Sequence, residues 1–271
     1  MDWLNHFVLL FPQGVIATAE RGLMVQAILF MLIVAVPVFG LVFFFAWHYR
    51  ASNTKAKYTP DWAHSNLEEL IWWAIPLEII LILGALTWSS THELDPKRPL
   101  SEEPPVVIQA VALDWKWLFI YPEERIATVN YVALPVGRQV RFDITADAPM
   151  NSFWIPTLGG QIYAMTGMVT NLHLQANEVG AFDGRSANYS GEGFAKMKFI
   201  AEAMSEEDFN AWLSRGHTSQ RSLDEHSYMQ LAEPSTVDEP LSYGFVSRDL
   251  FDTIVMKYMS HSTEAEHTHS H

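Results

Sequence analysis

Leu23–Trp47 reads LMVQAILFMLIVAVPVFGLVFFFAW, a run without a formal charge in which Gln26 is the most polar side chain. At about 1.5 Å per residue such a helix is roughly 37 Å long, more than a hydrocarbon core of ~30 Å requires, so it spans a bilayer with some tilt. Pro37 and Gly40 are tolerated in that setting. A second stretch, Leu70–Trp88 (LIWWAIPLEIILILGALTW), is shorter and just sufficient to span. Trp47, Tyr49, Trp72, Trp73 and Trp88 sit near the ends of the two stretches, where amphipathic rings favour the water–lipid boundary. The connecting loop carries Arg50, Lys55 and Lys57, whereas the N-terminal side offers only Arg21, offset by Glu20. The positive-inside rule then makes the loop cytoplasmic and puts both termini outside.

Three carboxylates lie within or just before the second stretch. Glu78 lies about 12 Å past Leu70, a depth at which an ionisable group is costly. Two readings stay open for it, a proton-linked group or a protonated acid hydrogen-bonded to a neighbouring helix. Glu68 and Glu69 precede the span, and by position alone they are acidic residues that complement a helix N-terminus. At the other end of the chain, residues 1–13 lack a basic start and a small-residue cleavage site, so no conventional signal peptide is read. Trp3–Phe11 is apolar but too short to cross, and suits the membrane surface.

The 271 residues are 49% hydrophobic, and the polar ones lie mostly after residue 90. Seventeen basic against 31 acidic residues give a net charge of −14, which argues against nucleic acid as a partner. The chain has no cysteine, so disulfides, thiolate metal centres and cysteine-linked lipid anchors are excluded.

Pro96, Pro99, Pro104 and Pro105 mark a linker. Beyond it, Val106–Ile120, Tyr131–Leu134, Gln139–Ala146, Thr170–Ala176 and Met197–Ala203 read as strands, with Val140, Phe142 and Ile144 alternating against Arg141 and Asp143. Turn signals separate these runs at the spacing of a compact antiparallel sandwich. Residues 205–232 read as helical, with Ser205 capping an acidic first turn, and a second helix is predicted over Ser247–Met259. The expected organisation is an N-terminal outer segment over 1–22, a helical hairpin over 23–95, a β domain over 96–204 and a helical extension over 205–259. A disordered tail over 260–271 carries His261, His267, His269 and His271.

Two spans, a short cytoplasmic loop and an outer β-sandwich resemble the layout of subunit II of haem–copper terminal oxidases. Tyr49–Ser65 (YRASNTKAKYTPDWAHS) leads into Glu69-x-x-x-Trp73-x-x-Pro76, which resembles that family's second-helix signature. Asp114-Trp115-Lys116-Trp117 resembles its aromatic cluster, and Pro149–Met197 aligns without gaps to its copper-binding region. The likeness runs from about Gly14 to Tyr258. It implies a two-helix transmembrane hairpin joined to an all-β, cupredoxin-like sandwich, with a short C-terminal helical extension, in a bacterial inner membrane with periplasmic termini.

Cytochrome c oxidases of this family hold two coppers with a histidine and, much later, C-x-E-x-C-x-x-x-H-x-x-M. The corresponding stretch here departs from that pattern. Ser186 and Ser190 stand at the cysteine positions, Asn188 at the glutamate, Phe194 at the second histidine and Asn151 at the first. Met197 alone keeps a ligand type, and a lone thioether does not hold copper. The combination resembles subunit II of bo-type ubiquinol oxidases, as do Asp114–Tyr131, Gln161–Met168 and the helices around Leu231–Tyr258. Many relatives carry an acylated cysteine that this sequence lacks, which leaves N-terminal processing open.

The resemblance implies a proton-translocating quinol:oxygen oxidoreductase whose haems, copper and ubiquinol belong to subunit I, with subunits III and IV alongside. This chain would carry no redox centre, receive nothing from cytochrome c and brace subunit I. Glu69, with Glu68 as its one-residue alternative, falls where the family places a carboxylate at the cytoplasmic mouth of a proton channel. Trp115 and Trp117, with no copper to serve, are expected to pack against subunit I. Two rival classes fit less well. A copper electron carrier needs cysteine and histidine ligands, and a two-span sensor needs more cytoplasmic chain than the short loop between the spans offers.

Overall fold

The computed structural model describes residues 10–57, 59 and 64–267. Two units divide the chain: Arg21–Asp95, and Pro96–His271 together with the residues up to Glu20.

The first unit holds most of helix α1 (Val15–His48) and all of α2 (Asn66–Glu93), both long and apolar enough to cross a membrane. Pro37 and Pro76 lie within them without ending either. No residue of α2 is buried by the rest of the chain, and Leu77, Ile80, Leu81 and Trp88 are exposed. Such a surface is satisfied only by lipid or by other helices. The N-cap of α2, Ser65, makes no side-chain cap bond; its carbonyl accepts the Glu69 N–H at 3.0 Å.

Helix α1 starts well before the apolar stretch, and this first part belongs to the second unit. Gln13 N–H donates to Thr157 O (2.8 Å), Asn177 N–H to Gln13 O (2.8 Å) and Ala17 N–H to Leu158 O (3.1 Å). A Cβ on Gly14 would sit 2.3 Å from Leu158 O, so only glycine allows this approach. The outer segment predicted over 1–22 is therefore docked on the β domain from residue 10 onward. Most of the surface segment read at Trp3–Phe11 lies outside the described residues.

The second unit is a sandwich whose strands are β1 (Val106–Leu113), β2 (Lys116–Tyr121), β3 (Ile126–Val129), β4 (Tyr131–Pro135) and β5 (Val140–Ala146). They are followed by β6 (Asn151–Trp154), β7 (Ile162–Ala164), β8 (Thr170–Leu174), β9 (Gly180–Ser186) and β10 (Lys198–Met204). Helix α3 (Glu206–Gly216), strand β11 (Ser222–Leu223), helix α4 (Glu225–Ala232), strands β12 (Leu241–Tyr243) and β13 (Phe245–Val246) and helix α5 (Leu250–His267) complete it. One sheet has the order β12-β3-β2-β1-β5-β8 and the other β4-β10-β9-β6-β7, with β11 and β13 forming a small separate pair.

Several expectations change here. The run Val106–Ile120 is two strands, because Asp114-Trp115 makes a tight turn in which Trp115 takes the left-handed conformation (φ 66°). Neither strand alternates in burial, because β1 and β2 are covered on both faces. Trp117, Phe119, Phe142, Phe153 and Phe199 fill the space between the sheets. Val111, Leu113, Leu118 and Ile120 point the other way, onto Leu223, Tyr228, Val246, Leu250 and Ile254 of the C-terminal segment. The sandwich is also not purely antiparallel, since β1 pairs with β5, and β4 with β10, in parallel.

Residues 205–232 are not one helical stretch. Ser205 Oγ caps α3 by accepting from Asp208 N–H (3.1 Å), and a reciprocal Asp224–Ser227 capping box starts α4 after β11. The last helix begins at Leu250 and runs to His267, into the stretch read as a tail over 260–271. His269 and His271 lie outside the described residues.

Candidate functional site

Four of the six degenerate ligand positions meet at one end of the sandwich. Asn151 opens β6 and is buried; its Nδ2 donates to Ser190 Oγ (3.0 Å) and to Met197 Sδ (3.2 Å). Its Oδ1 accepts the Ser152 N–H at 2.8 Å. Ser186 closes β9, donates its N–H to Met197 O (3.2 Å) and accepts at Oγ from the Trp117 indole (3.0 Å). Met197 is 1% exposed and follows a single 3-10 turn, Phe194–Lys196, that folds the loop back onto β10.

The other two positions turn outward. Asn188 Nδ2 donates to Met150 O (3.0 Å), and Phe194 packs edge-on against Tyr189 at 5.6 Å. The ring of Tyr189 is three-quarters exposed, so this pair lies at the surface.

The two tryptophans divide. Trp117 is fully buried between Phe153 and Phe199, so it cannot pack against another subunit as expected. The physical reason is that Trp117 lies on the face of β2 that packs against the other sheet. Trp115 is half-buried: its Nε1 donates to Ser190 O (3.0 Å), and its indole lies flat over Gly191 and Gly193. A Cβ on Gly193 would be 2.3 Å from that ring, which is why the loop carries glycine there.

The donor set is one amide, two hydroxyls and one thioether. The amide protons of Asn151 already occupy the hydroxyl of Ser190 and the sulfur of Met197. Among the described residues, no three of His, Cys, Asp and Glu gather into a metal-binding group. A copper pair that exchanges electrons with little reorganisation calls for thiolate and imidazole ligands. The residues present do not fit such a centre.

Beside this pocket lies an anchor that sequence reading missed. Asp147, in the turn before Asn151, has a side chain 1% exposed and accepts from Tyr228 OH (2.7 Å), Lys257 Nζ (2.7 Å) and Tyr258 OH (2.5 Å). It therefore holds α4 and α5 to the loop that leads into the pocket. Burial, reinforced by the bonds to Asp147, raises the pKa of both tyrosines. Lys116 is likewise fully buried and donates to Glu233 O (2.8 Å), Ser235 O (3.3 Å) and Ser235 Oγ (2.6 Å). Burial lowers its pKa, while Asp114 and Glu233 act in the opposite direction. The only cue in the sequence was an acid in a turn and a lysine between two tryptophans.

Glu68 and Glu69 are both exposed in the first turn of α2. Nine residues at ~100° each place Glu78, also exposed, on roughly the opposite side of that helix from Glu69.

The periplasmic domain of cytochrome c oxidase subunit II is the family whose pattern matches residues 122–204, and the aromatic-rich motif of the same oxidases matches residues 217–262. The fold and these two matches together point to a subunit II of the haem–copper oxidase class. Subunit 2 of the cytochrome bo(3) ubiquinol oxidase of Pseudomonas aeruginosa is 54% identical over 251 residues, spanning 92% of this chain and 76% of that one. Ubiquinol oxidase subunit 2 of Acetobacter aceti is 48% identical, over 91% and 81% of the two chains. Quinol oxidase subunit 2 of Bacillus subtilis is 36% identical, over 94% and 78%. The periplasmic domain of cytochrome oxidase subunit II of Bradyrhizobium japonicum, a solved structure, is 20% identical with a TM-score of 0.40, over 42% of this chain and 94% of that one. The chain belongs to the ubiquinol oxidase subunit II family of haem–copper oxidases.

Proposed function

We propose that this chain is the metal-free subunit II of a proton-translocating oxidase that takes electrons from ubiquinol and reduces oxygen to water. The observation that carries the reading is the Asn151–Ser190–Met197 network. Neutral hydrogen bonds join these side chains, which the resemblance sets at copper-ligand positions of cytochrome c oxidases. Electrons then bypass this chain, passing from ubiquinol to haems and copper in subunit I, and cytochrome c has no role. The sandwich and its helical extension brace subunit I from the periplasm, with subunits III and IV in the same complex. The helices cross the inner membrane with the α1–α2 loop in the cytoplasm.

Glu69, or Glu68 beside it, supplies a carboxylate at the cytoplasmic mouth of the proton channel. An exposed acid at a helix start can collect protons and pass them to a water chain. Glu78 faces away from Glu69 and is not assigned this task.

Oxygen uptake by the complex purified with this chain tests the donor. Uptake with ubiquinol and none with reduced cytochrome c is the expected result. Uptake with cytochrome c alone overturns the assignment.

A further inference from the structure

The linker that leaves α2 is a strap pinned at both ends across the outer face of β5 and β8. At its start, His173 N–H donates to Pro96 O (3.0 Å). Farther along, the buried side chain of Gln139 accepts from the N–H groups of Leu100 (2.9 Å) and Ser101 (3.3 Å). The same amide donates to the carbonyls of Ser101 (3.0 Å) and Glu103 (2.5 Å). Pro99, Pro104 and Pro105 stiffen the strap further.

Between the pins lies a cavity of about 930 Å³. Lys97, Arg98, Glu102 and Glu103 line it from the strap, and Arg141 and His173 from the sheet. Two of these groups are set for a ligand. Arg141 is held flat by Asp143, through Nε to Oδ1 (2.9 Å) and Nη2 to Oδ2 (3.0 Å); its Nη1 makes no hydrogen bond among the described residues. Asn171 adds a bond to the same Asp143 oxygen (2.7 Å), so the carboxylate is fully engaged. His173 is 5% exposed, and its Nδ1 is buried without a hydrogen-bond partner among the described residues. Buried polar atoms in native proteins are almost always paired, so the site is built for something that pairs with it.

The lining carries both signs of charge, which suits a zwitterion better than a simple anion. Its place in the chain suggests the source, because the apolar stretch of α2 ends at Trp88, shortly before Pro96. With α2 helical as far as Glu93, that separation spans at most ~18 Å, within reach of a headgroup layer. We propose that this cavity binds a phosphoethanolamine headgroup, its phosphate on Arg141 Nη1 and His173 Nδ1–H and its ammonium towards Glu102 and Glu103. A bilayer phospholipid and soluble phosphoethanolamine offer the same chemistry.

Hydrogen–deuterium exchange of the 96–106 segment in the lipid-depleted, detergent-purified oxidase separates the sources. Dihexanoyl-phosphatidylethanolamine is expected to slow exchange there at least threefold. Arg141→Gln and His173→Phe each abolish that effect, while the exchange of β1 and β2 stays as in the parent and reports an intact fold. Equal protection by soluble phosphoethanolamine supports the site and assigns it to a free ligand. Equal protection by dihexanoyl-phosphatidylglycerol overturns the role given to Glu102 and Glu103. Absence of protection by any of the three, or protection that survives both substitutions, overturns the proposal.

Discussion

The Trp117 indole donates to Ser186 Oγ at 3.0 Å, tying the aromatic core to the first of the two serines that the resemblance sets at cysteine positions. A serine there is therefore a hydrogen-bond acceptor for the fold. Ser186→Ala leaves a fully buried N–H without a partner, at a cost of about 1–3 kcal/mol. Trp117→Phe combined with Ser186→Ala should cost less than the sum of the two single changes. Thermal unfolding of the purified oxidase, followed by near-UV circular dichroism, measures both.

Gly193→Ala tests how the loop is seated. The new methyl would lie 2.3 Å from the Trp115 ring, so the indole must leave and its bond to Ser190 O must break. Overpacking of this kind costs about 1–3 kcal/mol. The expected signature is a red-shifted tryptophan emission with unchanged haem content, and an unshifted spectrum would show that the indole had kept its place.

Asp147→Asn should release the C-terminal helices. The side chain is buried and serves three donors, so exchanging an acceptor oxygen for an NH₂ sets donor against donor. Leaving a buried donor unpaired in this way costs about 1–3 kcal/mol. Limited proteolysis should cut between residues 217 and 250 faster than in the parent. Lys257→Met removes the cation from a buried carboxylate that keeps its two tyrosine donors, so it should cost about 1–3 kcal/mol.

Alkaline pH should loosen the same module. Burial, followed by hydrogen bonds to Asp147 for Tyr228 and Tyr258 and to Glu202 for Tyr131, raises the pKa of all three tyrosines. A folded pKa above the unfolded value of about 10 gives stability that is complete below pH ~10 and lost as pH rises beyond it. The melting temperature is expected to fall above pH 10, and less steeply in Tyr228→Phe. Equal slopes in the two proteins would remove Tyr228 from the account.

Glu69→Ala is expected to slow ubiquinol-driven oxygen turnover several-fold with haem content intact, whereas Glu69→Asp retains most of the rate. Glu68→Ala serves as the comparison one residue away, on a different side of α2. Stopped-flow oxygen reduction resolves proton-limited steps, and unchanged turnover in both alanine variants would remove this pair from the proton path.

The charge-free run Leu23–Trp47 and the shorter Leu70–Trp88 were legible because lipid imposes a length and a polarity that a sequence displays directly. The half-buried strand Val140–Ala146 was legible for the same kind of reason, since one wet and one dry face leave a period of two. The Ser186, Ser190 and Asn151 positions could be named from the spacing of the family's motif, but their contacts could not. Which of these polar atoms meet depends on how strands β6, β9 and β10, separate in the chain, come together in space.

What the sequence determined by itself is local: two spans, a linker, half-buried strands and a ligand motif that keeps a thioether but neither thiolate nor imidazole. Tertiary structure decided the rest. It stacked one sheet on the other around Trp117, Phe153 and Phe199, and so enclosed Trp117 rather than offering it to a partner. It brought Asp147 to Tyr228 and Lys257 across 81 and 110 residues, and it folded Pro96–Pro105 over His173. Contacts at such separations leave no period in the chain, because each is set by where whole sheets and helices stack and not by the residues beside it.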